Sequence, residues 1–213
     1  MTNSKISEAY TRVRALLDQQ RTDDGHWIGE LSTSALSTAT AISAMAMLHR
    51  HGAATDEQVA EPIDTGINWL VDHVNQDGGW GDTTKSYTNI ATTMLAIAAI
   101  QIAGRADDFA ALVKDAEAAV DHLGRLDGLR ARYGKDKTFA VPILTNCALA
   151  ESCEWSAISP LPFELACLPQ SWYRFAQLPV VSYAIPALVA IGQARHFHRP
   201  SPWPWVRWLR NLS

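Results

Sequence analysis

A turn built from Gly and Trp occurs twice in this chain, and its spacing limits the possible folds more than any other feature. The first copy is DGHW at residues 24–27 and the second is DGGW at residues 77–80, so Trp27 and Trp80 lie 53 residues apart. A further step of 53 residues reaches Tyr133, an aromatic residue also followed by Gly. A fixed period of this size is typical of arrays of one supersecondary unit. Each copy is interpreted as a helix, a Gly/Trp turn and a second helix.

Apolar spacing predicts that amphipathic and apolar helices alternate along the chain. The amphipathic segments are 7–20, 57–75 and 107–126, and the apolar segments are 35–50, 89–103 and 138–151. A loop is expected at 127–137, and Pro142 is expected in the first turn of the helix that follows. An amphipathic helix suits the outside of a fold and an apolar helix suits the inside. The alternation therefore predicts an all-α fold, an incomplete (α/α) toroid of outer and inner helices joined by Gly/Trp turns.

The chain changes character after the repeats, because prolines exclude long helices until about residue 182. One more apolar helix is expected at 182–196, followed by a short tail with three tryptophans. We therefore expect residues 1–155 to form the repeat-built toroid portion. Residues 156–213 are expected to form the Pro-rich connection, the further helix and the Trp-rich tail of the same domain.

Composition and charge exclude several classes of protein. The formal charge of −4 and the pI near 5.9 provide no basic surface for nucleic acid. Residues 1–8 contain no apolar signal segment, and the longest weakly polar run, at 91–103, is too short to cross a bilayer. We expect a cytoplasmic protein.

Cysteine and histidine residues could bind a metal only with suitable spacing. Cys147, Cys153 and Cys167 show no paired spacing, and we expect buried free thiols. The histidine pairs at 49/51 and 196/198 are two residues apart, which directs the two rings away from each other on a helix. We interpret them as solvent-facing helix ends, and we expect neither a metal nor a cofactor.

The Gly/Trp turns resemble the repeated motif of the squalene-hopene cyclase and oxidosqualene cyclase family. That motif contains a basic residue, Gly, an aromatic and an aliphatic residue, Gln, and finally Gly-x-Trp. The positions that match it are Gln20, Gly25, Trp27, Gly66, Trp69, Leu70, Gly78 and Trp80. The sequence departs from the motif at Thr65, which replaces the basic residue, and at Val74, which replaces Gln although Gln76 is close by.

A second match to this family lies downstream of the repeats. Residues 160–165, PLPFEL, resemble its Pro-Pro-Glu segment, with Trp155 before them and a further helix-like stretch at 174–191 after them. In the family the turn Gln and Trp brace one helix end against the next and take no part in catalysis. The resemblance thus implies a structural role for Trp27 and Trp80.

The resemblance also implies a reaction for which the essential acid is missing here. Cyclases of this family protonate a double bond or an epoxide with an Asp-x-Asp-Asp motif and guide the cations through an aromatic-lined cavity. The Asp pairs at 23–24 and 107–108 lack an Asp two positions earlier, and the zinc and thioester motifs of related toroids are also absent. We expect no catalytic residue in this chain, and its status as an enzyme stays open.

Several side chains could still line an apolar cavity, although core packing is the favoured interpretation of each. These candidates are Phe139, Ile143, Asn146, Trp172, Phe175 and Tyr183. The first hypothesis is an amino-terminal, non-protonating part of a triterpene cyclase, either a truncated product or half of a split enzyme. It would meet an apolar polyprenyl substrate only with a completing domain or subunit. The second hypothesis is a stand-alone helical module that binds a lipid or a protein.

The Trp-rich tail leaves two further interpretations open. Trp203, Trp205 and Trp208, with Arg207 and Arg210, would suit an interfacial belt on the inner face of a membrane. They would equally suit docking onto a missing domain, which we favour.

Overall fold

The computed structural model describes residues 2–29, 32–134, 137–175 and 185–212. Apart from one isolated bridge between Arg21 and Trp27, regular structure in these ranges is helical. The predicted all-α class of the toroid type is therefore confirmed. Contacts divide the chain into two units, Met1–Thr33 and Ser34–Ser213. A boundary at 155/156 stays a prediction.

The first unit consists of helix α1, Thr2–Gln19, and the first Gly/Trp turn. The N-H of Thr22 donates to the carbonyl of His26 at 2.8 Å and closes this turn. The helix begins five residues earlier than the apolar pattern indicated, because its first polar turn carries no apolar spacing signal.

The second unit contains the remaining helices. They are α2 (Ala35–Arg50), α3 (Asp56–Asp72), α4 (Ile90–Ile102), α5 (Ala110–His122), α6 (Arg125–Tyr133), α7 (Lys137–Leu149), α8 (Gln170–Phe175), α9 (Ile185–His198) and α10 (Pro204–Leu212). Two short 3-10 turns lie at Trp155–Ala157 and Phe163–Cys167. Of the described helices, none is long and apolar enough to cross a membrane.

Helix α4 lies at the centre of this unit, in contact with α2, α5, α6 and α7. Its sequence is almost entirely apolar, and eleven of its residues are buried. Side-chain caps define where the inner helices begin: Ser34 Oγ accepts from the N-H of Ser37, and Asn89 Oδ1 accepts from the N-H of Thr92. Contacts link the inner helices in the order α2, α4, α7 and α9, as expected for the inner layer of an α/α arrangement.

Three expectations from the sequence are wrong in this unit. The helix expected at 107–126 ends at His122, and residues 125–133 form α6 where a loop was expected. Gly124 adopts a left-handed φ of +89°, which ends α5 and lets α6 begin at once. Pro142 lies in the second turn of α7, since that helix begins at Lys137.

The Pro-rich segment connects the last two long helices. Phe163 is buried against Gly192 of α9, where an added Cβ would lie 2.9 Å from the Phe163 Cβ. The Arg210 guanidinium of α10 forms a two-pronged ion pair with Glu164, with N–O distances of 3.0 and 3.2 Å. Both side chains of this pair are largely buried, and Arg210 also donates to the Leu161 carbonyl. The PLPFEL segment thus holds α9 and α10.

The inner helices α2, α4 and α7 end in the same way. At each end a residue with positive φ directs the next N-H back to a carbonyl in the last turn, the Schellman pattern. The residues with positive φ are Gly52 (+69°), Gly104 (+71°) and Glu151 (+61°). Glu151 therefore holds a conformation that a side chain with a Cβ disfavours.

We predict that Glu151→Gly stabilises the protein, because glycine adopts this conformation without the Cβ penalty. The free energy of unfolding should rise by about 1 kcal/mol in urea titration. Gly104→Ala is the matched control at the end of α4, where an added Cβ meets no neighbouring atom within 4 Å. It should lower the free energy of unfolding by a similar amount. A lower free energy of unfolding for Glu151→Gly would contradict the left-handed conformation assigned to Glu151.

Candidate functional site

The indoles of Trp27 and Trp80 make the same hydrogen bond in the two turns. Trp27 Nε1 donates to the Leu17 carbonyl at 2.7 Å, and Trp80 Nε1 donates to the Leu70 carbonyl at 2.9 Å. Each carbonyl is the third from the end of the preceding helix, α1 or α3. Each carbonyl also accepts a backbone N-H from three residues further on, that of Gln20 at 3.1 Å or that of His73 at 3.3 Å. Each tryptophan therefore adds a second hydrogen bond to a carbonyl in the last turn of the helix before it, where intrahelical partners run out.

The backbone of the two turns also coincides. Gly25 and Gly78 have φ values of +84° and +83°. The N-H of Asn75 donates to the Gly79 carbonyl at 2.9 Å, which repeats the bond between Thr22 and His26 at the 53-residue offset. The sequence repeat thus encodes one turn geometry twice.

Burial distinguishes the two turns. Trp80 is 1% exposed, whereas Trp27 is 47% exposed. The N-H of Trp80 donates to Thr93 Oγ1 at 3.0 Å, and Thr93 in turn donates to the Asn89 carbonyl at the start of α4. Trp80 therefore joins the end of α3 to the first turn of α4 through its side chain and its backbone.

The carboxylates beside the second turn are engaged in local hydrogen bonds. Asp77 accepts from the hydroxyl of Thr88, to which the Asn75 amide also donates. Asp82 accepts from the Asn89 amide at 2.8 Å and from the Thr92 hydroxyl at 2.7 Å. These bonds fix the loop between α3 and α4. The amide that braces this turn belongs to Asn75, one residue after Val74, which stands where the family motif has Gln.

Gly66 and Trp69, also matched to the family motif, lie on α3. An added Cβ at Gly66 would be 2.9 Å from Ile42 Cγ1, so this glycine permits the close approach of α2 and α3. Trp69 stacks on His73 with ring centroids 4.1 Å apart. Both residues serve packing at the α3 surface.

The predicted cavity residues lie on two helices. Phe139, Ile143 and Asn146 are spaced along one face of α7, where Ile143 is buried and the Asn146 amide donates to the Pro142 carbonyl at 3.2 Å. Phe139 is exposed and stacks on Tyr133 at 5.9 Å. Trp172 and Phe175 are exposed on α8. Tyr183 lies outside the described residues.

A groove of about 940 Å³ lies between α4, α5, α6, the end of α7 and the Trp155–Ala157 turn. Its apolar wall includes Met94, Ile97, Val120, Leu126, Cys147 and Ala157. Its charged wall includes Glu117, Asp121, Arg125, Asp127, Arg130 and Glu154. Of the predicted cavity residues that the structure describes, none lines it. Sequence reasoning missed this groove because α6, which forms one wall, was expected to be a loop.

The arginines of this groove are paired with neighbouring carboxylates. Arg125 Nη2 donates to Asp121 Oδ2 at 2.8 Å, and Arg130 Nη1 donates to Asp127 at 3.2 Å. The hydrogen bond from Arg125 lowers the pKa of Asp121. These exposed pairs form the rim of the groove and provide no unpaired acid or base.

Three histidines of the two predicted pairs have structural contacts. His49 Nε2 lies 2.7 Å from Asp56 Oδ1, and His198 stacks on Trp155 at 4.2 Å. His196 is buried, with Nε2 3.0 Å from Asn211 Oδ1, so its interpretation as a solvent-facing helix end is wrong. The Phe163 ring, with its centroid 6.0 Å from that of His196, and Asn211 of α10 contact it. Within the described ranges, no group of three or more His, Cys, Asp or Glu could hold a metal ion.

The cysteines are free and differ in burial. Cys147 is buried, Cys153 is half-buried and Cys167 is exposed, so the expectation of burial is wrong for Cys167. That residue ends the short 3-10 turn at Phe163–Cys167, whose apolar anchor is Phe163. Burial raises the pKa of the Cys147 thiol to about 12 and also raises the pKa of Cys153.

The fold and the paired turns define a class of helical repeat protein in which tryptophan caps the ends of outer helices. A comparison with protein families extends this result: residues 10–192 match the squalene-hopene cyclase N-terminal domain. The chain therefore belongs to the squalene-hopene cyclase family, through the amino-terminal domain of that family.

One curated relative is alpha-onocerin synthase LCD from Lycopodium clavatum. It is 26% identical over 195 residues, an alignment that covers 84% of this chain and 24% of the relative. The chain thus spans about a quarter of the length of that protein. No solved structure matches the chain.

We predict that Trp80→Phe lowers the free energy of unfolding by about 3 kcal/mol. The substitution removes a hydrogen bond to a buried carbonyl and leaves a cavity in the core. Trp27→Phe is the matched control, since it removes the equivalent bond at a half-exposed position, and it should cost about 1 kcal/mol or less. Urea titration measures both values. Equal losses of unfolding free energy in the two variants would contradict the larger contribution that we assign to the buried Trp80.

We predict that the three thiols react with a disulfide reagent at pH 8 in the order Cys167, Cys153, Cys147. A raised pKa leaves less thiolate, which is the reactive form, and burial restricts access. Mass spectrometry of labelled peptides measures the order. In denaturant the three rates should converge, and rapid labelling of Cys147 in the native chain would contradict its burial.

Proposed function

We propose that this chain supplies the amino-terminal, non-protonating part of a squalene-hopene-cyclase-like terpenoid cyclase. In this role it contributes helical scaffold and part of an apolar cavity. Its substrate would be an apolar polyprenyl chain, bound only when a completing domain or subunit is present. The observation that carries the proposal is the repeated indole-to-carbonyl cap, in a chain whose match to the family covers residues 10–192.

The relative that matches the chain supports the same class of substrate. Alpha-onocerin synthase is named for a triterpenoid product, and the matched region is a quarter of its length. Under this proposal the protonating acid would come from a part of the enzyme that lies outside the matched amino-terminal domain.

Charged groups in the chain support a role without protonation. The family acid is an Asp-x-Asp-Asp motif, and the sequence lacks it. Asp108, in one of the two Asp pairs, forms an ion pair with Arg105, which also pairs with Asp64. Asp108 therefore serves in a structural ion pair at this position.

Exposed aromatic side chains support a contribution to a cavity. Trp172 and Phe175 on α8 and Phe139 on α7 present rings that the described residues leave largely uncovered. Aromatic rings stabilise carbocations through their electron-rich faces, and they bind apolar chains by burial of surface. These three residues are our candidates for the part of the cavity wall that this chain provides.

A stand-alone helical module that binds a lipid or a protein is the alternative function. The groove beside α6, with an apolar wall and a charged wall, favours it. Native mass spectrometry of the purified chain distinguishes this alternative from the scaffold role. Retained lipid supports the module, and self-association or a captured companion subunit supports the scaffold. A monomer without bound lipid would count against both.

We predict that the purified chain, incubated with squalene, yields no polycyclic product. The reaction cannot start without an acid strong enough to protonate a double bond. Gas chromatography with mass spectrometry measures the products, and an intact family cyclase in a parallel incubation shows that the assay works. Detection of hopene from the isolated chain would contradict the assignment of a non-protonating part.

An apolar polyprenyl substrate is concentrated in membranes. We therefore extend the proposal to a peripheral contact of this chain with a membrane surface, on the inner face. Partition of the chain between membrane and supernatant fractions of expressing cells tests this contact.

A further inference from the structure

The groove beside α6 carries negative charge that its own arginines do not balance. Its charged wall holds four carboxylates and two guanidinium groups: Glu117, Asp121, Asp127 and Glu154, with Arg125 and Arg130. The two arginines are paired with Asp121 and Asp127. In the part of the chain that the structure describes, no ion pair joins Glu117 or Glu154 to a cation. The wall therefore has a net charge of −2 and two carboxylates open to a ligand.

The pairing of Arg125 makes the groove unsuitable for an anion. The hydrogen bond to Asp121 raises the pKa of Arg125, and the charge of Glu117 adds a smaller effect in the same direction. Glu117 thus lies within electrostatic reach of Arg125, although Arg125 donates its hydrogen bonds to Asp121. An anion in this groove would have to displace an existing ion pair, whereas a cation would meet Glu117 and Glu154 directly.

The other wall of the groove is apolar and suits a hydrocarbon chain. Met94, Leu126 and Ala157 are half-buried there, beside the buried Ile97 and Val120. The volume of about 940 Å³ is within the range of small-molecule sites, which combine an apolar lining with a few polar groups. Because an exposed carboxylate attracts a cation only weakly, a ligand must also bury apolar surface to be held.

We propose that this groove binds an amphiphilic ammonium ion, a small organic cation that carries an apolar chain. The chain lies against the apolar wall, and the charged head is directed to Glu117 and Glu154. This inference gives a ligand class to the alternative function described above. Its evidence is the groove alone, and it is independent of the scaffold role.

Two thiols of the groove provide a readout at the site itself. Cys153 is half-buried and Cys147 is buried, and both line the groove, whereas Cys167 is exposed and does not line it. The test is the rate at which a disulfide reagent labels each thiol at pH 8, with and without octyltrimethylammonium below its micelle concentration. Roughly 10 mM probe should slow the labelling of Cys153 by about tenfold, as for a site of about millimolar affinity, and leave Cys167 unchanged.

Three further probes separate the effect of charge from that of the chain. Tetramethylammonium has the charge without the chain, octyl sulfate has the same chain with a negative charge, and octyl glucoside has the chain without charge. Each should protect Cys153 at least about fivefold less than octyltrimethylammonium at the same concentration. Equal protection by octyl sulfate or octyl glucoside would overturn the assignment of a cation. Equal protection by tetramethylammonium would overturn the assignment of an apolar chain.

The carboxylates are tested with Glu117→Gln/Glu154→Gln, which should need about fivefold more probe for half-protection of Cys153. Burial and then Glu154 raise the pKa of Cys153, so each rate is compared with that of the same variant without probe. Glu57→Gln/Glu61→Gln is the matched control, because it removes the same charge from exposed carboxylates of α3 that do not line the groove. It should behave like the parent chain.

Four results would overturn the proposal. They are an absence of protection, equal protection in the groove variant, an equal slowing of Cys167, and faster labelling of Cys147. The last result would mean that the probe opens the fold instead of filling the groove. The squalene incubation, which tests the scaffold role, is independent of all these results.

Discussion

The hydrogen bond from the Trp80 indole to the Leu70 carbonyl is the interaction on which the arrangement of α3 and α4 depends. A helix that ends inside a protein has carbonyls that water cannot reach, and each unpaired one costs free energy. The Leu70 carbonyl accepts from the His73 N-H at 3.3 Å and from the Trp80 indole at 2.9 Å, and the indole fills the space beside it. The backbone N-H of Trp80 donates to Thr93 Oγ1, in the first turn of α4. One residue thus completes the outer helix and positions the inner one.

The carboxylates near these helix junctions are engaged in structural contacts. Asp77 and Asp82 accept hydrogen bonds from the loop that they stabilise, and Asp108 pairs with Arg105. The centre of the second unit is α4, whose buried residues are apolar or threonine. This distribution of polar groups suits the scaffold role that we propose for the chain.

The carboxyl-terminal helices depend on a different kind of interaction. Glu164 and Arg210 are both largely buried, and each would be costly to bury without the other. Phe163 packs against Gly192, so two adjacent residues of the Pro-rich segment hold α9 and α10. Arg210 faces inward in this ion pair, and the opposite side of α10 carries tryptophan and leucine. The same contact that stabilises this region therefore creates its exposed apolar face.

The sequence by itself determined the class of fold, the family and the position of the repeated turns. A period of 53 residues and the alternation of apolar and amphipathic segments are local patterns, and α2 was predicted with its observed bounds, Ala35–Arg50. Only the tertiary structure decided that Trp80 is buried while Trp27 is half-exposed, that α6 forms one wall of a groove, and that His196 and Arg210 point inward. Each of these outcomes depends on a residue distant in sequence that covers or pairs with the group. Periodicity reports which face of a helix is apolar, but it does not report what packs against that face.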